Sequence, residues 1–149
     1  MNNPTPPEAA VSHAADANAN ADQRGAALPV RPPVLRGTTR GVDTPLGHVL
    51  VTVNDAAAGE PREVLVRAGR AGSDLAALAE AIGRLCSLCL GLPSPLAPAR
   101  RLRLLADELG GIGGARALLG PDGARSLPDA VARALADHAA SRRGPDAAG

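Results

Sequence analysis

The chain contains no phenylalanine, tyrosine or tryptophan, no lysine, one methionine and two cysteines in 149 residues. Each absence excludes something. Without aromatic rings there is no platform on which a nucleobase could stack, and any core must be built from Leu, Val, Ile and Ala. Sixteen basic residues, all arginine, face fifteen acidic ones, for a net charge of +1. No broad positive field is therefore available to attract a phosphate backbone, and nucleic acid is not expected as a partner. No stretch approaches the roughly 20 apolar residues of a membrane span, and no charged segment followed by an apolar run marks secretion. Two cysteines in such a chain fit a reducing cytoplasm, which is the expected location.

What is present is unevenly distributed. Residues 1–30 are Ala, Asn, Pro and Asp with hardly a large apolar side chain. Such a segment cannot bury enough surface to offset the entropy of ordering it, and it reads as a disordered arm. Residues 31–140 read as one foldable domain, and 141–149, "SRRGPDAAG", as a fraying tail. Within the domain, "RPPVLRGTTRGVDTPLG" (residues 31–47) reads as an extended lead-in punctuated by Pro and Gly. In "HVLVTVN", Val49, Val51 and Val53 alternate with Leu50 and Thr52, which predicts a strand. "REVLVRA" predicts a second strand, and the Gly-containing link between them predicts an antiparallel hairpin.

The period then changes. In "GSDLAALAEAIGRLCSLCLGL", Leu75, Leu78, Ala79, Ile82, Leu85, Cys86 and Cys89 recur in steps of three and four, which predicts a helix with these residues inward. Ser73 or Asp74 is its expected N-cap, and it breaks near Gly91. A second helix is predicted over Pro98–Leu109, with Leu102, Leu105, Ala106 and Leu109 inward and Gly110 as a left-handed C-cap. A third opens at Ser126, with Asp129 completing a capping-box pattern and Val131, Ala134, Leu135 and His138 inward. The expected fold class is α+β: a small antiparallel sheet or hairpin covered on one face by about three helices.

Few residues can carry chemistry. Cys86 and Cys89 are spaced C-x-x-C, but a zinc site needs four ligands, and the remaining soft candidates are His13 in the arm, His48 and His138. A redox pair sits at a helix N-terminus, where the dipole lowers the thiol pKa; these cysteines fall near a C-terminal end. Both therefore read as small core side chains. Gly110–Gly114, "GGIGG", invites comparison with a phosphate cradle through Gly111, Gly113 and Gly114. It does not match G-x-G-x-x-G, and a tight loop needing positive φ accounts for it. His48 reads as a partly exposed edge residue. His138 reads as a helix-end residue placed favourably for the dipole. Arg100, Arg101 and Arg103 form a basic cluster that could dock an acidic partner, or simply a solvated helix face.

Five segments in order, "VLRGTT", "TPLGHVLVTVN", "EVLVRAGRAGSDLAALAEAIGRL", "LGGIGG" and "RSLPDAVARAL", resemble the TSCPD domain. That domain is the C-terminal part of adenosylcobalamin-dependent (class II) ribonucleotide reductases, and it also occurs as a small separate protein. The resemblance implies association with deoxyribonucleotide synthesis, in which a thiol couple and cobalamin serve a large catalytic chain. The family is named for Thr-Ser-Cys-Pro-Asp; here the matching stretch is Arg125, Ser126, Leu127, Pro128, Asp129, so Leu127 stands where the family has cysteine. Relatives carry further cysteines where this chain has Leu46, Ser73 or Asp74, and Gly113 or Gly114, so their metal or thiol role does not transfer. The catalytic barrel and radical-site cysteines would not fit in about 110 residues. The expectation is a non-catalytic accessory or separated domain that binds no cofactor itself, acts by protein–protein contact, and has the reductase catalytic chain as partner. The alternative is a regulatory module binding a nucleotide or other small phosphorylated ligand at Gly111, Gly113 and Gly114. A weaker third reading keeps enzyme activity in the two thiols.

Overall fold

The computed structural model describes residues 29–113 and 123–142. Contacts divide the chain into two units, Met1–Val30 and Arg31–Gly149. The expected arm, apart from Pro29 and Val30, lies outside the described residues, as do Gly114 and residues 143–149 of the expected tail.

The order is β1 (Arg36–Thr44), β2 (Gly47–Asp55), β3 (Pro61–Ala68), α1 (Asp74–Gly91), α2 (Pro98–Leu109) and α3 (Leu127–Ser141). The three strands form an antiparallel meander with β2 in the centre. The fold is α+β, as the sequence indicates, and the β2–β3 hairpin pairs Val51 with Val66 and Val53 with Val64. Strand β1 is a correction, because the sequence marks this stretch only as an extended lead-in. Eight of its nine residues are exposed or half-buried and only Thr44 is buried, so no apolar alternation reveals it. Pairing with β2 in unbroken register, from Arg36 opposite Asp55 to Thr44 opposite Gly47, makes it a strand.

One face of the sheet meets the helices. Val49, Val51, Val53, Val64 and Val66 point to it and are buried, against Leu102, Val131 and Leu135. Full burial of each such side chain contributes about 1.5–3 kcal/mol. Leu50 and Leu65, one residue out of phase, lie on the opposite face and are partly exposed.

Helix α1 is capped by Ser73, whose Oγ accepts the Ala76 N–H at 3.2 Å. It buries Ala79, Gly83, Cys86 and Leu90. This corrects the expected stripe: Leu78, Leu85 and Cys89 face outward instead. The reason is backbone proximity. A Cβ on Gly83 would lie 3.0 Å from the Val64 carbonyl oxygen and 3.1 Å from the Val66 nitrogen, so only the small-residue face of α1 can come this close to β3. One turn on, Ser87 Oγ accepts the Val64 N–H at 2.9 Å and donates within reach of the Val64 carbonyl at 3.0 Å. The outer edge of β3 is thereby covered by a helix rather than by another strand.

Helix α2 has the predicted bounds and buries Leu102 and Ala106, with Leu105 and Leu109 packed against the core. Its C-cap Gly110 has φ −67° rather than the expected left-handed value; the positive φ falls on Gly111 (75°) and Gly113 (158°).

Candidate functional site

The TSCPD-like segment at the start of α3 is a structural junction. Ser126 caps the helix, its Oγ accepting the Asp129 N–H at 3.3 Å. The reciprocal arm of the expected capping box is displaced. Asp129 Oδ2 accepts the N–H of Arg125 at 2.9 Å, and Oδ1 accepts the N–H of Gly111 at 2.8 Å, across from the end of α2. Ser126 Oγ donates to the Ile112 carbonyl, closing the same loop. Burial alone would raise the Asp129 pKa, but these two amides and the Arg133 guanidinium outweigh it and hold the carboxyl below its ordinary range. The consequence for the ligand loop is direct. A buried carboxylate already accepts the Gly111 amide that a phosphate cradle would offer, and a Cβ on Gly113 would lie 2.8 Å from Arg125 Cβ. Gly114 lies outside the described residues.

The two cysteines part company. Cys86 is buried and its thiol is pushed up to about 11, by burial first and by the neighbouring Cys89 second. Cys89 is exposed, so the reading of both as core side chains holds for Cys86 alone. Among the described residues no three His, Cys, Asp or Glu side chains are grouped as a metal would require.

Of the two described histidines, His138 is inward and in the last turn of α3, as expected, whereas His48 departs from expectation. His48 opens the central strand rather than an edge, and its Nδ1 lies 2.7 Å from Asp43 Oδ1 in solvent. His138 is 4% exposed and lies between Thr38 Oγ1 (2.8 Å from Nδ1) and Asp55 Oδ1 (3.0 Å from Nε2). Asp55 also accepts from Arg142 at 2.8 Å. This chain ties β1, β2 and the end of α3 together. Nothing in the sequence signals it, because its members are separated by up to 100 positions.

The arginine cluster does not form one patch. Arg100 is exposed. Arg101 turns to the end of α1, its Nη1 donating to the carbonyls of Cys89 and Leu92 at 2.7 Å each. This guanidinium satisfies carbonyls that a helix C-terminus leaves unpaired. Arg103 lies beside Arg142 in a groove of about 180 Å³.

The outer face of α1 is the feature the sequence reading assigned to the wrong side. Leu78, Leu85, Leu88 and Leu92 stand at 59%, 61%, 41% and 43% exposure, with Ala81 and Cys89 among them and Leu96 close behind at 45%. Residues 78, 81, 85, 88 and 92 follow steps of three and four, the spacing of a helix seam. Exposed apolar surface is thus concentrated on one side of α1 rather than scattered singly.

The model of the TSCPD domain matches residues 20–139. The chain belongs to the TSCPD-domain family. That domain is associated with class II ribonucleotide reductases. No curated protein and no solved structure shows significant similarity to the chain. The TSCPD match extends eleven residues upstream of Arg31 and ends one residue short of Ala140. No helix among the described residues is long and apolar enough to cross a membrane.

Proposed function

We propose that this TSCPD protein is an accessory or separated C-terminal domain of a vitamin B12-dependent ribonucleotide reductase. It is not catalytic itself and acts by contact with the catalytic chain, which alone holds adenosylcobalamin. The observation that carries this reading is the exposed leucine seam of α1, in a family associated with that reductase. The chemistry of the chain supports it. Leu127 replaces the motif cysteine, and the Cys86 thiol is buried and protonated far above neutrality, which suits neither thiol shuttling nor nucleophilic attack. The cytoplasm is the location this role requires.

The test is recovery of the tagged protein from its own cells, with co-purifying chains identified by mass. A cobalamin-dependent reductase chain in a fixed ratio at moderate salt is the expected result. It is lost with Leu85→Glu and Leu88→Glu, which change exposed positions. Recovery without any reductase chain, from wild type, would overturn the proposal. A nucleotide-regulated module would instead show a rise in Tm with nucleotide that Gly113→Pro removes.

A further inference from the structure

Beside the described contacts lies a groove of about 180 Å³ lined by Ala99, Leu102, Arg103, Ala139 and Arg142, between α2 and the end of α3. Its floor is apolar and small-residued. Its walls are two guanidinium groups in different states. Arg142 is engaged with Asp55 at 2.8 Å and approaches Glu60 at 3.9 Å. Those carboxylates are occupied in turn: Asp55 also by His138, and Glu60 by the Ala99 N–H at 3.3 Å. Arg103 is half-buried and, among the described residues, makes no hydrogen bond or ion pair. A guanidinium fork partly withdrawn from water and left unpaired, over an apolar floor, is complementary to a carboxylate.

We propose that this groove takes one acidic side chain presented by a protein partner, held by Arg103 with its methylenes on Ala99, Leu102 and Ala139. Size selects among anions. Sites for drug-sized ligands enclose roughly 300–1,000 Å³, so 180 Å³ suits a Glu or Asp side chain and not a nucleotide. The inference rests on the accessory reading for the partner's identity, but the groove's ligand chemistry can be tested without it.

The experiment is NMR of the ¹⁵N-labelled full chain titrated with ADP and with N-acetyl-glutamate and N-acetyl-glutamine, the last two each as the α-methylamide so that the side-chain carboxylate is the one difference between them. N-acetyl-glutamate is expected to give saturable shifts at the Ala99, Arg103 and Ala139 amides and at Arg103 Nε–H, with Kd on the order of 1 mM. N-acetyl-glutamine moves none of them. Arg103→Gln weakens binding about tenfold or more. Ala99→Glu abolishes it, because the new carboxylate sits four residues before Arg103 on the same helix face and occupies the fork itself. No saturation with N-acetyl-glutamate, an equal response to N-acetyl-glutamine, persistence in both variants, or tighter binding of ADP at these residues each overturns the proposal. Two failures remain distinguishable. Reductase capture that is unchanged by Arg103→Gln, with no N-acetyl-glutamate binding, removes the groove and keeps the accessory role. N-acetyl-glutamate binding without any reductase capture removes the accessory role and keeps the groove's carboxylate chemistry.

Discussion

Asp129 carries more of the fold than its place in a capping pattern suggests. Its carboxylate joins the end of α2, through Gly111, to the approach of α3, through Arg125. Asp129→Asn leaves an amide where two N–H donors converge, and is expected to lower stability by about 1–3 kcal/mol at pH 7. The pH dependence has a definite sign. The folded-state pKa lies below the ordinary carboxylate value, so the stabilisation is complete above that value and is lost as pH falls through the folded pKa. Urea unfolding at pH 7 and near pH 3 should show the gap between wild type and variant closing on acidification. An equal gap at both would remove the charge from the account. From the sequence, the cap at Ser126 and the inward Val131, Ala134 and Leu135 were legible, because local spacing determines them. The Asp129–Gly111 bond was not, because it joins residues across a loop whose path no local rule gives. His138 is the same case: its inward direction followed from periodicity, while Thr38 and Asp55 came from strands far away.

At the level of the element, α1 shows what a period cannot say. It is apolar on two faces, and spacing alone does not choose which one meets the sheet. Close approach to β3 chooses, since Ala79 and Gly83 permit it and Leu78 and Leu85 do not. A sequence reader could have weighed side-chain size as well as period. The two faces are separable in the test tube through the cysteines. With iodoacetamide under native conditions, Cys89 is expected to be alkylated and Cys86 to remain unmodified until denaturant is added, by mass spectrometry of the peptides. Equal native rates would mean that α1 is not seated as described. Strand β1 shows the opposite limit: an element with almost no buried residue leaves no pattern, and only its partner strand defines it.

For the molecule as a whole, the class of fold and five of the six elements among the described residues were readable, because valine alternation and leucine periodicity are strong signals even without aromatic residues. The sheet's two edges were not, and they differ. Along β3, Ser87 Oγ engages the Val64 N–H and carbonyl, and Gly83 lies close against Val64 and Val66. Along β1, the Asp43 carbonyl accepts the Ala124 N–H at 2.9 Å, so it points away from β2, and by the two-residue alternation of an antiparallel strand Gly37, Thr39 and Gly41 point the same way. No described residue pairs with them. Hydrogen exchange should therefore be slow at Val64 and fast at Gly37, Thr39 and Gly41, read amide by amide by NMR; similar protection on both edges would contradict the arrangement. The asymmetry has a consequence for assembly. A sheet that can grow from both sides can polymerise without end, whereas one sealed by a helix can add a single neighbour and then stops. Gly83 and Ser87 thus withdraw the β3 edge as a template on which further strands could be laid.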